Sequence, residues 1–174
     1  MAYSRCVYSN RIDIPEIHKG RPMNTDADFV TTPISSRDIA QLENIELLFF
    51  AYRDFVGDAD RILSKFGFGR AHHRVLYFVN RRPGMTVAEL LEILQITKQS
   101  LARVLRQLID SGYIKQATGA NDRRKRLLFP TQSGRDLVLA LSNPQSKRIE
   151  TALSKLSAED HETVMKFMQA MISK

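Results

Sequence analysis

The chain has a single cysteine, Cys6, and no tryptophan. One thiol excludes an intrachain disulfide framework and a multi-cysteine metal site. No apolar run approaches the roughly 18 residues a membrane-spanning helix needs, and the opening Met1-Ala2-Tyr3-Ser4-Arg5-Cys6 lacks the apolar centre of a secretion signal. A soluble, cytoplasmic protein is expected. No nucleophile–base signature, glycine-rich phosphate loop or cluster of metal ligands is present, so an enzyme is not expected, nor are a cofactor and a metal. Internal repeats and low-complexity tracts are absent as well.

Acidic charge is also scarce. Twenty-six Lys and Arg stand against 19 Asp and Glu, a formal net charge of +7. Nine of those cations lie between Thr97 and Arg135, with only Asp110 and Asp122 among them, so 9 − 2 = +7 resides in that stretch alone. The remainder of the chain is close to neutral. A focused basic patch of this kind suits a phosphate backbone, although a solvated face would have the same composition.

Residues 1–35 are punctuated by Pro15, Gly20, Pro22 and Pro33 and hold no apolar period. They read as an irregular arm, in which Ile12, Ile14 and Ile17 are available to pack on a surface or a partner subunit. Ser35 with Asp38 suggests a weak capping box for a long helix from about residue 36. Its stripe runs through Ile39, Leu42, Ile45, Leu48, Phe49, Tyr52, Phe55, Val56, Ala59, Ile62, Leu63 and Phe66, and Leu47 and Phe50 widen it. So much apolar surface predicts a second buried face, most simply against another subunit. Gly67 and Gly69 are read as the stop.

A helix from about Arg70 to Arg82 follows, then a Pro83-Gly84 turn. Thr86 and Glu89 form a full capping box for a short helix carrying Leu90, Leu91 and Leu94. Gln95-Ile96 makes a tight turn, and Thr97 caps a helix to Asp110 or Ser111. That helix buries Leu101, Val104, Leu105, Leu108 and Ile109 and turns Lys98, Gln99, Ala102, Arg103, Arg106 and Gln107 outward. Two short helices with a basic outer face on the second fit a helix-turn-helix. Strands are expected near 113–117 and 127–129, joined by a loop with five consecutive charged residues, Asp122 to Arg126. Concentrated like charge is unfavourable in a purely structural hairpin, and phosphate would relieve it. After Thr131 a further helix begins, which Asn143-Pro144 either kinks or divides. Ser157 to Asp160 opens a last helix, with Val164, Phe167, Met168, Met171 and Ile172 on one face.

The expected fold is mainly α with a small β-hairpin wing: a winged helix-turn-helix over 70–131, an irregular arm over 1–35, and a helical dimerisation region from 36–69 and 132–174. Ile39, Leu42, Leu153, Val164, Phe167 and Met168 are its candidate dimerisation residues. The DNA-binding candidates are Lys98, Gln99, Ser100, Arg103, Arg106, Asp122, Arg123, Arg124 and Lys125. The first turn of the recognition helix meets base edges, where Gln99 suits adenine. Arg103 suits guanine or phosphate, and Arg106 suits the backbone.

Three blocks in this order resemble the MarR family of bacterial regulators, over roughly residues 36–174. Thr97 to Leu108 followed by Gly112-Tyr113-Ile114 is similar to the family's recognition helix. Asp122-Arg123-Arg124 is similar to the D-x-R of its wing. Phe129 to Gly134 is similar to its strand-to-helix exit, with Pro130 where a Leu is more usual. Arg70-Ala71-His72-His73-Arg74 resembles the PetP-like branch. The resemblance implies a homodimer on a pseudo-palindromic double-stranded operator. It also implies, for many members, release by a small aromatic or anionic effector bound between the DNA-binding and dimerisation regions, while others respond to oxidants or metals. It assigns Arg124 to the minor groove. Asp122 then orients Arg124 or a recognition-helix arginine, unless it is an ordinary turn residue. Tyr52, His73, Arg74 and Tyr77 are candidates for an effector pocket, although interface or core packing explains them first. Cys6 lies some thirty residues before the first helix with no evident base beside it, so an ordinary thiol is the preferred reading. Adjacent His72 and His73 diverge by about 100° on a helix and do not make a metal face. A constitutive or redox- or metal-responsive regulator, and a non-specific winged-helix module for RNA or protein, remain as alternatives.

Overall fold

The computed structural model describes residues 32–118 and 125–172. In chain order these form α1 (Leu42–Ser64), α2 (Arg70–Arg81), β1 (Met85–Thr86), α3 (Val87–Leu94), α4 (Lys98–Asp110), β2 (Ile114–Thr118), β3 (Arg126–Pro130), α5 (Gln132–Leu153) and α6 (Ala158–Ala170). The architecture is mostly helical with one small antiparallel sheet of order β1-β3-β2, as the winged-helix reading expects.

The first helix starts later than its stripe suggests. Asp38 does close a turn on Ser35, accepting from its backbone N–H and its hydroxyl at 2.9 Å each. The helix nevertheless begins only at Leu42, because Gln41 sits in the left-handed region at φ 62° and breaks the spiral. Ile39 therefore lies on a turn rather than on α1. At the other end Gly67 takes the left-handed stop at φ +67°. Gly69, read as a second stop, is instead extended at φ −130° and serves as the N-cap of α2.

The sheet is small because its role is local. Ile114 pairs with Pro130 and Gln116 with Leu128, while Met85 pairs with Leu128 from the other side. Ile114, Leu128 and Met85 point into the core. Pro130 is tolerated because it ends its strand and so need not donate along a continuing ladder. The next residue fixes the exit. Thr131 Oγ1 accepts from Gly134 N at 3.0 Å and donates to the Gly112 carbonyl at 2.7 Å. Gly134 cannot be replaced without movement, since a Cβ there would stand 2.1 Å from the Tyr113 carbonyl oxygen.

One core joins all these elements except α6. Leu76, Leu90, Leu101, Leu108 and Leu128 are at its centre, with Leu63 from α1 and Leu141 from α5. Each such leucine contributes about 1.5–3 kcal/mol by leaving water. α5 runs unbroken through Pro144. Its C-terminal half is tied to α1 by Gln145 Nε2 donating to the Phe55 carbonyl at 3.3 Å and by an Arg148–Asp58 ion pair at 3.1 Å. Helix α6 buries no residue. It is oriented by the Ser157–Asp160 capping box and by His161 Nε2 donating to the Leu153 carbonyl at 2.7 Å. No described helix is long and apolar enough to cross a membrane.

Candidate nucleic-acid interface

Helix α3 is anchored by the capping box legible in its sequence. Thr86 N donates to Glu89 Oε2 at 2.7 Å, and Glu89 N donates to Thr86 Oγ1 at 3.2 Å. These bonds to the Thr86 backbone and hydroxyl hold the Glu89 carboxyl below the ordinary carboxylate range, and Arg82 and Lys125 add to that effect. Lys125 at the foot of the hairpin is thus electrostatically coupled to the start of α3. Gln95 then reverses the chain at φ 51°. The left-handed conformation is uncommon for glutamine, and it sets the angle between α3 and α4.

Thr97 begins α4 in an extended conformation, and its Oγ1 accepts from Ser100 N at 3.2 Å. Leu101 N bonds the Thr97 carbonyl at 3.0 Å. The amides of Lys98 and Gln99 are the ones left without a helical partner, at the positive end of the helix dipole. That is a ready anion site, and it lies in the turn whose side chains face outward.

Leu101, Val104, Leu105 and Leu108 form the buried face of α4, whereas Lys98, Gln99, Ser100, Ala102, Arg103 and Arg106 are exposed. Among the described residues, Lys98, Gln99, Arg103 and Arg106 make no side-chain hydrogen bond or ion pair. The five predicted recognition-helix residues are therefore all exposed, on a helix that cannot roll far without exposing four large apolar side chains. Behind it, Arg126 Nη1 donates to Thr118 Oγ1 at 3.2 Å and closes the last described rung of the hairpin. Asp122, Arg123 and Arg124 lie outside the described residues. Lys125 is exposed beside β3.

Two contacts were not legible in the sequence. Gln107, expected to face outward with the basic residues, has its Oε1 2.7 Å from His72 Nε2 on α2. Arg74, a candidate effector residue, donates through Nη2 to the Leu94 carbonyl at 3.1 Å and satisfies the C-terminal end of α3. Both join positions 20 or more residues apart, a separation no local pattern encodes.

The four effector candidates make different contacts. Tyr52 lies under the Arg70 guanidinium at 5.5 Å, and Arg70 itself pairs with Asp60 at 2.8 Å. Burial pushes the His73 imidazole below its ordinary pKa, with Asp60 opposing that shift. Of the four, Tyr77 lines a hollow, an open one of about 310 Å³ shared with Asn80, Arg81, Arg135, Val138 and Leu139. Asn80 Oδ1 is buried there without a hydrogen-bond partner among the described residues. The dimerisation candidates present apolar surface: Leu42, Leu153 and Val164 are half-buried, and Phe167 and Met168 are 54% and 56% exposed.

Residues 66–125 match the model described as MarR family. The HTH-type transcriptional regulator PetP of Rhodobacter capsulatus is 49% identical over 110 residues, covering 63% of this chain and 66% of that protein, just under two thirds of its length. The transcriptional regulator HosA of Escherichia coli is 29% identical over 105 residues, covering 60% of this chain and 77% of its own. Among solved structures, a mutant MepR from a multidrug resistant S. aureus clinical isolate is 24% identical with a TM-score of 0.65, covering 74% of this chain and 94% of that one. The S. aureus MepR–DNA complex is likewise 24% identical, with a TM-score of 0.60 and coverage of 73% and 94%. These structures share the fold.

Proposed function

We propose that the chain is a member of the MarR family, a reading supported by the match of residues 66–125 to that family's model, and that it is a sequence-specific, DNA-binding transcriptional regulator and not an enzyme. It acts in the cytoplasm as a homodimer on a pseudo-palindromic operator. The observation that carries the reading is the face of α4, where Lys98, Gln99, Ser100, Arg103 and Arg106 stand exposed on a helix whose opposite side is locked in the core. The free amides of the first turn meet a phosphate, Gln99 and Arg103 reach base edges, and Arg106 meets the backbone. Arg123, Arg124 and Lys125 extend the contact to a neighbouring groove, with Asp122 orienting an arginine. The match to the model described as MarR family and the likeness to the relative named PetP support the regulator reading.

Dimerisation rests on apolar surface that the described residues leave exposed. Phe49 is 69% exposed and Leu47 63% exposed on α1, with Phe167 and Met168 on α6. A two-fold pairing of α1 and α6 would bury these faces and set the two α4 helices one helical turn of DNA apart. A small anionic aromatic effector is proposed at the hollow beside Tyr77, where Arg81 and Arg135 supply charge and Asn80 Oδ1 seeks a donor. Enriching duplexes from a randomised pool and challenging the winner with excess random DNA tests the reading. A specific complex survives the competitor. Loss of the complex at the same competitor level would make the chain a non-specific binder.

A further inference from the structure

His72 is the buried polar side chain of the described core, at 9% exposure. Both ring nitrogens are engaged. Nδ1 accepts from the Gly69 N–H at 3.0 Å, at the N-cap of α2. An accepting Nδ1 places the proton of the neutral ring on Nε2, which then donates to Gln107 Oε1 at 2.7 Å. The ring cannot easily leave this pose. Phe68 stacks on it at 4.7 Å with planes 13° apart, and Tyr113 holds Phe68 edge-on at 5.5 Å.

Gln107 is on the recognition helix, one turn beyond Arg103 and adjacent to Arg106. Leucine packing prevents α4 from rolling through a large angle, and a hydrogen bond on its flank sets the fine rotation within that limit. At a helix radius of roughly 5–6 Å, a rotation of about 10° carries a side-chain tip about 1 Å. Hydrogen bonds to base edges tolerate only a few tenths of that. We infer that His72 is a positioning residue for DNA reading. Its Nε2–H bond to Gln107 sets the rotation of α4, so that Gln99 and Arg103 meet base edges in register while Gln107 is withheld from the DNA.

This rests on the regulator reading of α4, and the test separates the two. The probe is the duplex that the wild-type full chain enriches from a randomised pool, measured against a random duplex of the same length. The quantity read is the ratio of the two affinities, because phosphate attraction acts on both duplexes alike. Gln107→Met removes the acceptor from an exposed site, and His72→Gln keeps a side chain able to cap Gly69 while shortening the reach to α4. Each should lower the ratio about fivefold to tenfold, the effect of one hydrogen bond. Gln107→Glu retains an acceptor and should keep the wild-type ratio, although its added charge weakens both duplexes. Nitrogen NMR of the wild-type imidazole should show Nε2 protonated and Nδ1 bare. An unchanged ratio in Gln107→Met, or a ratio lost equally in Gln107→Glu, overturns the positioning role. A wild-type chain that enriches no sequence overturns the regulator reading and this inference with it.

Discussion

Helices α4 and α6 are built from the same local parts and reach different ends. Each has 13 residues, and each is started by a hydroxyl side chain that accepts from the amide three residues on. Each carries an apolar stripe. Helix α4 buries Leu101, Val104, Leu105 and Leu108, and α6 buries nothing. Capping and periodicity therefore explain why both are helices. They do not decide what covers the stripe. In α4 the stripe joins the chain's own core, which leaves the opposite face exposed, the face proposed to read DNA. In α6 it remains open, like the exposed apolar residues of α1, and is the surface proposed to pair with a second copy.

The sharpest contrast is obtained by cutting one residue from each stripe. Leu108→Ala leaves a cavity at a fully buried position and should cost about 2–5 kcal/mol in denaturant unfolding. Phe167→Glu should leave the fold of the subunit intact and weaken self-association by about 2–4 kcal/mol, the range of an interface hot spot, seen as a halved mass in sedimentation. Equal loss of secondary structure in both variants would erase the distinction between the helices. On the basic side, Arg124→Ala should weaken specific DNA binding by about 1–3 kcal/mol, and unchanged affinity in a gel shift at moderate salt would remove the wing from the reading surface. Arg106→Ala should weaken all duplexes alike and flatten the salt dependence by about one unit. A loss of sequence preference instead would move Arg106 to a base edge.

The smallest effect concerns acid. Glu89 has its folded pKa lowered by its bonds to Thr86. Its contribution is present above the ordinary carboxylate value and is lost as pH falls through the lowered folded value. Glu89→Gln should remove that part of the acid limb of the melting curve, measured from about pH 6 to pH 3. Retention of the full wild-type slope would assign the acid sensitivity to other carboxylates.

Local chemistry makes much of this molecule legible in its sequence. Thr86 with Glu89, Thr97 as a cap, the reversal at Gln95 and the outward residues of α4 all depend on neighbours within four positions. The start of α1 is not legible, because nothing in the stripe reveals that Gln41 turns left-handed. Strand β1, only Met85 and Thr86, is too short for a period and exists because β3 pairs with it through Leu127 and Leu128. The turn of Gln107 toward His72 crosses 35 residues. In the last two cases tertiary pairing adds what no local pattern holds.

The central claim is that two copies of α4, held by the surface that α1 and α6 leave open, read one duplex. The most direct measurement is the sequence that the full chain enriches from a randomised pool of duplexes. Two inverted half-sites with centres about 10–10.5 base pairs apart, or a multiple of that spacing, are predicted. A single unrepeated half-site, or no enriched sequence, would contradict the account.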